Sequence, residues 1–284
     1  MDPETAEPVP GGMAAPRTKP DPKNMVASVA KAFSVLQGFT ADRQAMTVSE
    51  LAACAGLDRG TTFRLIHTLV ALGYLNPEPV RKFRLSLKCL ELGFLALSAL
   101  DLRAHAAPLL RTLVPGIADA ASLGTLDGAD VVYLERVHSG LSRHDVDRRP
   151  GRRIRAYGAA LGHAMLAWLP ESEQVAVLES AERVKLSERT LTDLDALLAR
   201  LREVRVCGFA VSDGENAYGL RTVAAPVLDA TGRPVAGVSL TIDAGRLPTA
   251  AFVAEAAPHA LATAGSLARA IQLSAGAIGA GPVR

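Results

Sequence analysis

Arg59, Thr61, Thr62 and Arg64 lie within six consecutive positions, and Arg81, Lys82 and Arg84 follow shortly after. Guanidinium groups grip phosphate or carboxylate oxygens in pairs and also read the major-groove edge of guanine, while hydroxyls serve phosphates and base edges alike. The chemistry on offer is recognition of a polyanion. A second concentration is Arg148-Arg149-Pro150-Gly151-Arg152-Arg153-Ile154-Arg155-Ala156-Tyr157, running into Gly158-Ala159-Ala160-Leu161-Gly162. Small residues opening a helix let backbone amides approach an anion, and an arginine fork fits a planar carboxylate. Tyr157 adds an aromatic face. Arg152, Arg153, Arg155 and Tyr157 are therefore candidates for holding a small organic acid, the alternatives being a solvated basic surface or an interdomain or DNA-facing patch.

Bond-making chemistry finds little support. His138-Ser139, His144-Asp145 and Asp147 fall in a loop without helical ligand spacing, so neither a triad nor a metal set is expected. His163 reads as a packed or surface histidine. Cys54, Cys89 and Cys207 are odd in number and far apart, which excludes a disulfide framework and a CxxC zinc site and fits a reducing cytoplasm. No phosphate loop, nucleophile elbow or GxGxxG fingerprint occurs. No cofactor or metal is expected. The alternative to a binding protein is an enzyme with an α/β catalytic domain and an accessory helical module.

The elements that must position the first cluster are legible. Thr47-Val48-Ser49-Glu50 has capping-box spacing, starting a helix over Ser49–Ala55 that Gly56 breaks. Asp58 caps a second helix, Arg59–Leu72, ended by Gly73. Its apolar stripe is expected to be Phe63, Ile66, Leu69 and Val70, opposite Arg59, Thr61, Thr62, Arg64 and Thr68. An upstream helix, Val26–Gln37, offers Val29, Phe33 and Leu36 for packing. Helix, glycine turn and basic-faced helix form the helix-turn-helix plan, with the second helix bound for the major groove. Tyr74-Leu75 and Lys82-Phe83-Arg84-Leu85 then flank Asn76–Arg81 as a wing. Thr61, Thr62 and Arg64 are expected at base edges and nearby phosphates, Arg59 beside the backbone, His67 on the helix flank, and Arg81, Lys82 and Arg84 on phosphates.

The remainder alternates β-like runs (Ala121–Leu126, Val131–Arg136, Phe209–Ser212, Arg221–Leu228, Val235–Ile242) with helices (Ala159–Leu169, Glu171–Ser180, Leu191–Val206, Ala250–Leu273). Thr192 and Asp195 resemble a capping box, and Gly208 sits at a helix end. Short turns imply an antiparallel sheet. The fold class is α+β, divided as a disordered tail 1–24, a winged helix-turn-helix 25–86, a helix 87–104, a mixed α/β domain 105–275 and a flexible end 276–284. The 284 residues carry a net charge of +2, yet Met25–Leu90 holds eight Lys/Arg against four Asp/Glu. Six Arg against two Asp fall in Leu141–Arg155, so the rest of the chain is acidic. With 49% hydrophobic residues but no run near 18 apolar positions, no membrane partner is expected.

Asp58-Arg-Gly-Thr-Thr-Phe-Arg-Leu-Ile-His-Thr-Leu-Val-Ala-Leu-Gly-Tyr-Leu75 resembles the recognition-helix and wing-entry signature of IclR-type transcriptional regulators. Leu126–Tyr133, Gly151–Leu169 and Gly219-Leu-Arg-Thr-Val-Ala-Ala-Pro-Val227 extend the resemblance over about residues 25–275. The last motif looks most like the branch controlling protocatechuate and β-ketoadipate pathway genes. The resemblance implies that 87–104 is a linker helix and 105–275 a GAF-like effector-binding domain, that the chain forms a homodimer or dimer of dimers on a palindromic double-stranded operator, and that a small aromatic carboxylic acid controls catabolic genes through it. It also adds Ala160, Leu161, Asp213, Leu220 and Ser239 as effector-lining positions. The chain departs from the family pattern at Arg155, often Pro, and near Gly158-Ala159, often Thr or Ser, which puts the branch's effector chemistry in question here.

Overall fold

The computed structural model describes residues 25–40, 42–92, 102–139, 141 and 148–279, with side chains as far as residue 272. The expected tail 1–24, most of the linker between 93 and 101, and His144 to Asp147 lie outside the described residues. Two compact units fall within Thr18–Leu100 and Asp101–Arg284.

The first unit contains α1 (Ala27–Gln37), β1 (Ala45–Thr47), α2 (Val48–Ala55), α3 (Arg59–Ala71), β2 (Leu75–Glu78) and β3 (Lys82–Leu85). The capping box forms in full: Glu50 N–H donates to Thr47 Oγ1 at 3.3 Å, and Thr47 N–H donates to Glu50 Oε2 at 2.7 Å. Asp58 Oδ1 accepts from Thr61 N–H at 2.8 Å and starts α3. At its far end Tyr74 N–H reaches the Leu69 carbonyl and Gly73 N–H the Val70 carbonyl. This closing turn requires the left-handed backbone that Gly73 supplies at φ 81. Val35, Met46, Leu51, Ile66, Leu69, Leu75 and Phe83 form the core.

Two expectations are corrected here. On α1 the inward residues are Val35 and Leu36, while Val29 and Phe33 stand exposed. On α3 the inward stripe is Thr62, Ile66 and Leu69, and Phe63 is outward. The helical phase is fixed by the Asp58 cap and by Ile66 and Leu69 in the core, and that phase carries Thr62 inside. The strand β1, unforeseen in the sequence, pairs with β3, giving the antiparallel order β1-β3-β2. Pro77 is tolerated because β2 is an edge strand.

The second unit begins with α4 (Leu102–Leu113), which buries Leu102, Ala106, Leu110 and Leu113. An effector-domain boundary at 104/105 would cut this helix. Then follow β4 (Ala120–Asp127), β5 (Asp130–His138), β6 (Arg153–Arg155), a 3₁₀ turn (Ala156–Gly158), α5 (Ala160–Leu166), α6 (Glu171–Glu179), α7 (Leu194–Cys207), β7 (Ala210–Asp213), β8 (Leu220–Leu228), β9 (Pro234–Asp243) and α8 (Thr249–Gly279). The cap of α7 is Asp193, not Thr192, accepting from Ala196 N–H at 2.9 Å. The sheet is antiparallel throughout, in the order β6-β5-β4-β9-β8-β7.

Alternation along these strands sorts the sheet into two faces. One is apolar: Leu123, Val238 and Ala225 pair across strands, as do Ala121, Leu240 and Val223. The other carries Ala210, Ala224, Ser239, Ser122 and Arg136 in one cross-strand row. Ser212, Thr222 and Thr241 stand in the next. Gly162 sets how closely α5 approaches the 3₁₀ turn, since a Cβ there would collide with the Ala156 carbonyl.

Val80 and Arg81 close the β2–β3 hairpin with φ of 62 and 57, the paired left-handed conformation of a tight hairpin turn. A β-branched side chain is strained there. Val80→Asn is expected to stabilise the winged module by about 1 kcal/mol, read as a higher calorimetric melting temperature.

Candidate functional site

The outward face of α3 presents Gly60, Phe63, Arg64, His67 and Thr68, with Arg59 at its first turn. Arg64 lies opposite the buried stripe and is exposed. Thr61 is partly buried, and its N–H is committed to the Asp58 cap. Thr62 is a correction to the expected base-reading set: it is 0% exposed, and its hydroxyl donates to the Asp58 carbonyl at 2.8 Å. It holds the helix start together from within. The wing carries Arg81 and Lys82 at its tip. Arg84 pairs with Glu78 across the hairpin at 3.2 Å, so part of its charge is already answered. Arg59, Arg64 and Arg81 have no ion-pair partner among the described residues, and Lys82 makes no ion pair at bonding distance, though its charge is felt by Glu50.

In the second unit, a cavity lies between the hydroxyl-bearing sheet face and the start of α5. Tyr133, Arg148, Ile154, Ala159, Ala160, Leu161, Ser212, Asn216, Thr222 and Ser239 line it, and its free volume is about 20 Å³, room for a single water molecule. Arg148 is 6% exposed. Its Nε has no hydrogen-bond partner, nor does Asn216 Nδ2. Beside it, Arg136 donates to Ser122 Oγ at 2.9 Å. Burial depresses the Arg136 pKa, and the Arg148 charge depresses it further. Burial likewise raises the Tyr133 phenol, against the pull of Arg148 and Arg136. Two guanidiniums thus share a water-poor region, and no carboxylate is paired with either among the described residues. A small anion would offset both the desolvation and the mutual repulsion.

Of the sequence-predicted effector residues, the structure brings Ala160, Leu161 and Ser239 to this cavity. The others lie elsewhere. Arg153 and Arg155 fall on β6, where Ile154 turns into the cavity and its neighbours turn away. Arg153 pairs with Asp127 at 2.7 Å and Asp130 at 3.2 Å, and Arg155 with Asp130 at 3.1 Å. Arg152 is exposed and outside the lining. The Tyr157 hydroxyl is consumed by Val184, donating to its carbonyl at 2.7 Å and accepting from its N–H at 2.9 Å. Asp213 is neutralised by Arg221 at 2.9 Å and Arg189 at 3.0 Å, and Leu220 is buried beside them. Sequence reasoning named the run that begins at Arg148 but chose Arg152, Arg153 and Arg155 from it, and it did not single out Tyr133, Ser212, Thr222 or Asn216. The available signal was hydroxyl residues recurring at alternate positions of otherwise apolar strands.

No arrangement of His, Cys, Asp or Glu suited to a metal ion occurs among the described residues, and no described helix is long and apolar enough to cross a membrane. Residues 28–79 match the IclR helix-turn-helix domain, and residues 94–269 match the bacterial transcriptional regulator IclR C-terminal domain. The chain belongs to the IclR family. As an IclR-family member it is a DNA-binding transcriptional regulator and not an enzyme. It is 33% identical over 252 residues to the transcriptional regulator KdgR of Escherichia coli, covering 88% of this chain and 93% of that one. It is 30% identical over 256 residues to the Pca regulon regulatory protein of Pseudomonas putida, covering 87% and 88%. A crystal structure from Rhodococcus sp. RHA1, described as a transcriptional regulator, superposes with a TM-score of 0.75 at 36% identity, over 86% of this chain and 98% of that one.

Behind the cavity wall, His163 is fully buried; its Nε2–H donates to the Tyr157 carbonyl at 2.5 Å and its Nδ1 has no partner. Burial pulls its pKa below the ordinary imidazole value, opposed by Glu215. The unfolded chain therefore binds the proton more readily, and stability falls as pH drops through about 6.5 and below. Thermal midpoints measured from pH 7.5 to 5.0 are expected to show this fall, and His163→Gln to flatten it.

Proposed function

We propose that this regulator places α3 in the major groove of a palindromic operator as a homodimer, or a dimer of dimers, and that a small carboxylic acid bound at Arg148 sets its affinity for that operator. Arg64 and Arg59 read and anchor along the groove, while Arg81, Lys82 and the partly neutralised Arg84 follow the phosphates. The observation that carries the effector assignment is the buried, unpaired Nε of Arg148 facing hydroxyl-bearing strands.

An aromatic acid is the favoured class. Tyr133 offers a ring face, Ile154 and Leu161 offer apolar walls, and Ser212, Thr222 and Ser239 offer hydroxyls for a ring substituent. The resemblance of Gly219–Val227 to the protocatechuate branch, and the similarity to a Pca regulon regulatory protein, support control of aromatic catabolism. Organic ligands of drug size occupy about 300–1,000 Å³, and even a small aromatic acid exceeds one water's volume. Binding must therefore move the cavity wall. An acid that fits only the widened cavity shifts the population toward it, and that shift is the regulatory event.

Mobility shifts with the promoter region upstream of its own coding sequence test both halves. Arg64→Ala is expected to weaken binding by about 5- to 150-fold. Arg148→Met is expected to bind the same DNA as the wild type but to lose its response to protocatechuate or 4-hydroxybenzoate. Because it removes a buried charge that has no carboxylate partner among the described residues, it should also gain about 1–3 kcal/mol of stability. An Arg148→Met protein that still responds to the acid, or that is less stable, would overturn the effector assignment.

A further inference from the structure

Phe63 is 51% exposed on the outward face of α3, beside Arg64 and next to Gly60, which has no side chain to screen it. Its ring centroid lies 4.2 Å from that of His67, tilted by 50°. The His67 ring in turn lies 6.3 Å from Phe83 and meets it edge-on. Phe83 is part of the module's core on the wing strand β3. Three rings therefore run from the core of the wing to the surface of the reading helix, and Phe63 is braced at the outer end.

An exposed phenyl contributes nothing to a phosphate contact, and in water its position on α3 favours a polar residue. Its location makes sense against an apolar partner. The apolar feature on base edges in the major groove is the C5-methyl of thymine, a recognised partner for phenylalanine. We propose that Phe63 reads a thymine methyl in the operator and that His67 is the positioning residue behind its ring. The inference rests on α3 being the reading helix and adds base specificity at a residue outside the basic set.

The test uses the full chain to select duplexes from a random pool. The selected duplex is then resynthesised with deoxyuridine in place of thymidine, which removes only the methyl groups. Wild type is expected to lose about fourfold in affinity per covered methyl, the factor equivalent to one buried methyl group. Phe63→Ala, checked for folding by circular dichroism, is expected to bind both duplexes equally and to keep the wild-type salt dependence, since no phosphate contact is removed. Phe63→Met, with a flexible apolar tip, is expected to retain part of the discrimination. His67→Ala is expected to reduce the thymine-to-uracil ratio without abolishing it, a readout that general loss of stability would not move. Wild type indifferent to the substitution, or Phe63→Ala as sensitive as wild type, overturns the role of Phe63 and leaves the reading helix intact. A pool that yields no enriched duplex overturns both.

Discussion

Arg148, a buried positive charge with no ion-pair partner among the described residues, is the constraint around which the cavity of the second unit is built. Arg148 is removed from water, and Arg136 stands close enough to feel its field. A fully apolar neighbourhood would make this arrangement prohibitive. The sheet therefore departs from an apolar interior on one face only. Ser122, Ser212, Ser239 and Thr241 are all buried there, while the opposite face keeps Leu123, Val238, Leu240 and Val223 in continuous apolar rows. The hydroxyl face softens the environment of the two guanidiniums, and the apolar face supplies the packing that keeps the sheet together.

The arginines outside the cavity behave in the opposite way. Arg153, Arg155, Arg189 and Arg221 each meet a carboxylate, Asp127, Asp130 or Asp213, within ordinary ion-pair distance. Arg221 also ties down the Ala244 and Leu247 carbonyls. The Gly219-Leu-Arg motif is thus a fastening at the start of β8, with Arg221 on the sheet face opposite the cavity. The same residue type serves as structural cement outside the cavity and, at Arg148, as a charge without an ion-pair partner among the described residues, and only the surroundings distinguish the two.

Much of the architecture was legible in the sequence because its determinants are local. Thr47 with Glu50, Asp58 with Thr61, and Gly73 act over three to five residues, and the five strand runs alternate between well-marked turns. What escaped notice depends on three-dimensional phase. Phe63 reads as a core residue by type, yet the register that Ile66 and Leu69 impose turns it outward and takes the polar Thr62 inside. The arginine run misleads for a related reason. Residues 153–155 form a strand with a two-residue period, so Ile154 enters the cavity and Arg153 and Arg155 leave it. Arg148, the member of the run whose placement matters most, has no local signal at all. Its burial comes from β5, α5 and the far strands closing around it.

The rows of serine and threonine on the inner sheet face carry one more consequence. A hydroxyl both donates and accepts, and it rotates at little energetic cost to suit whatever stands opposite. A floor made of such groups commits to no single ligand pattern. Shape at Tyr133, Ile154 and Leu161 would then decide which molecule is admitted, so paralogues could exchange inducers through a handful of wall substitutions while the strands beneath stayed as they are.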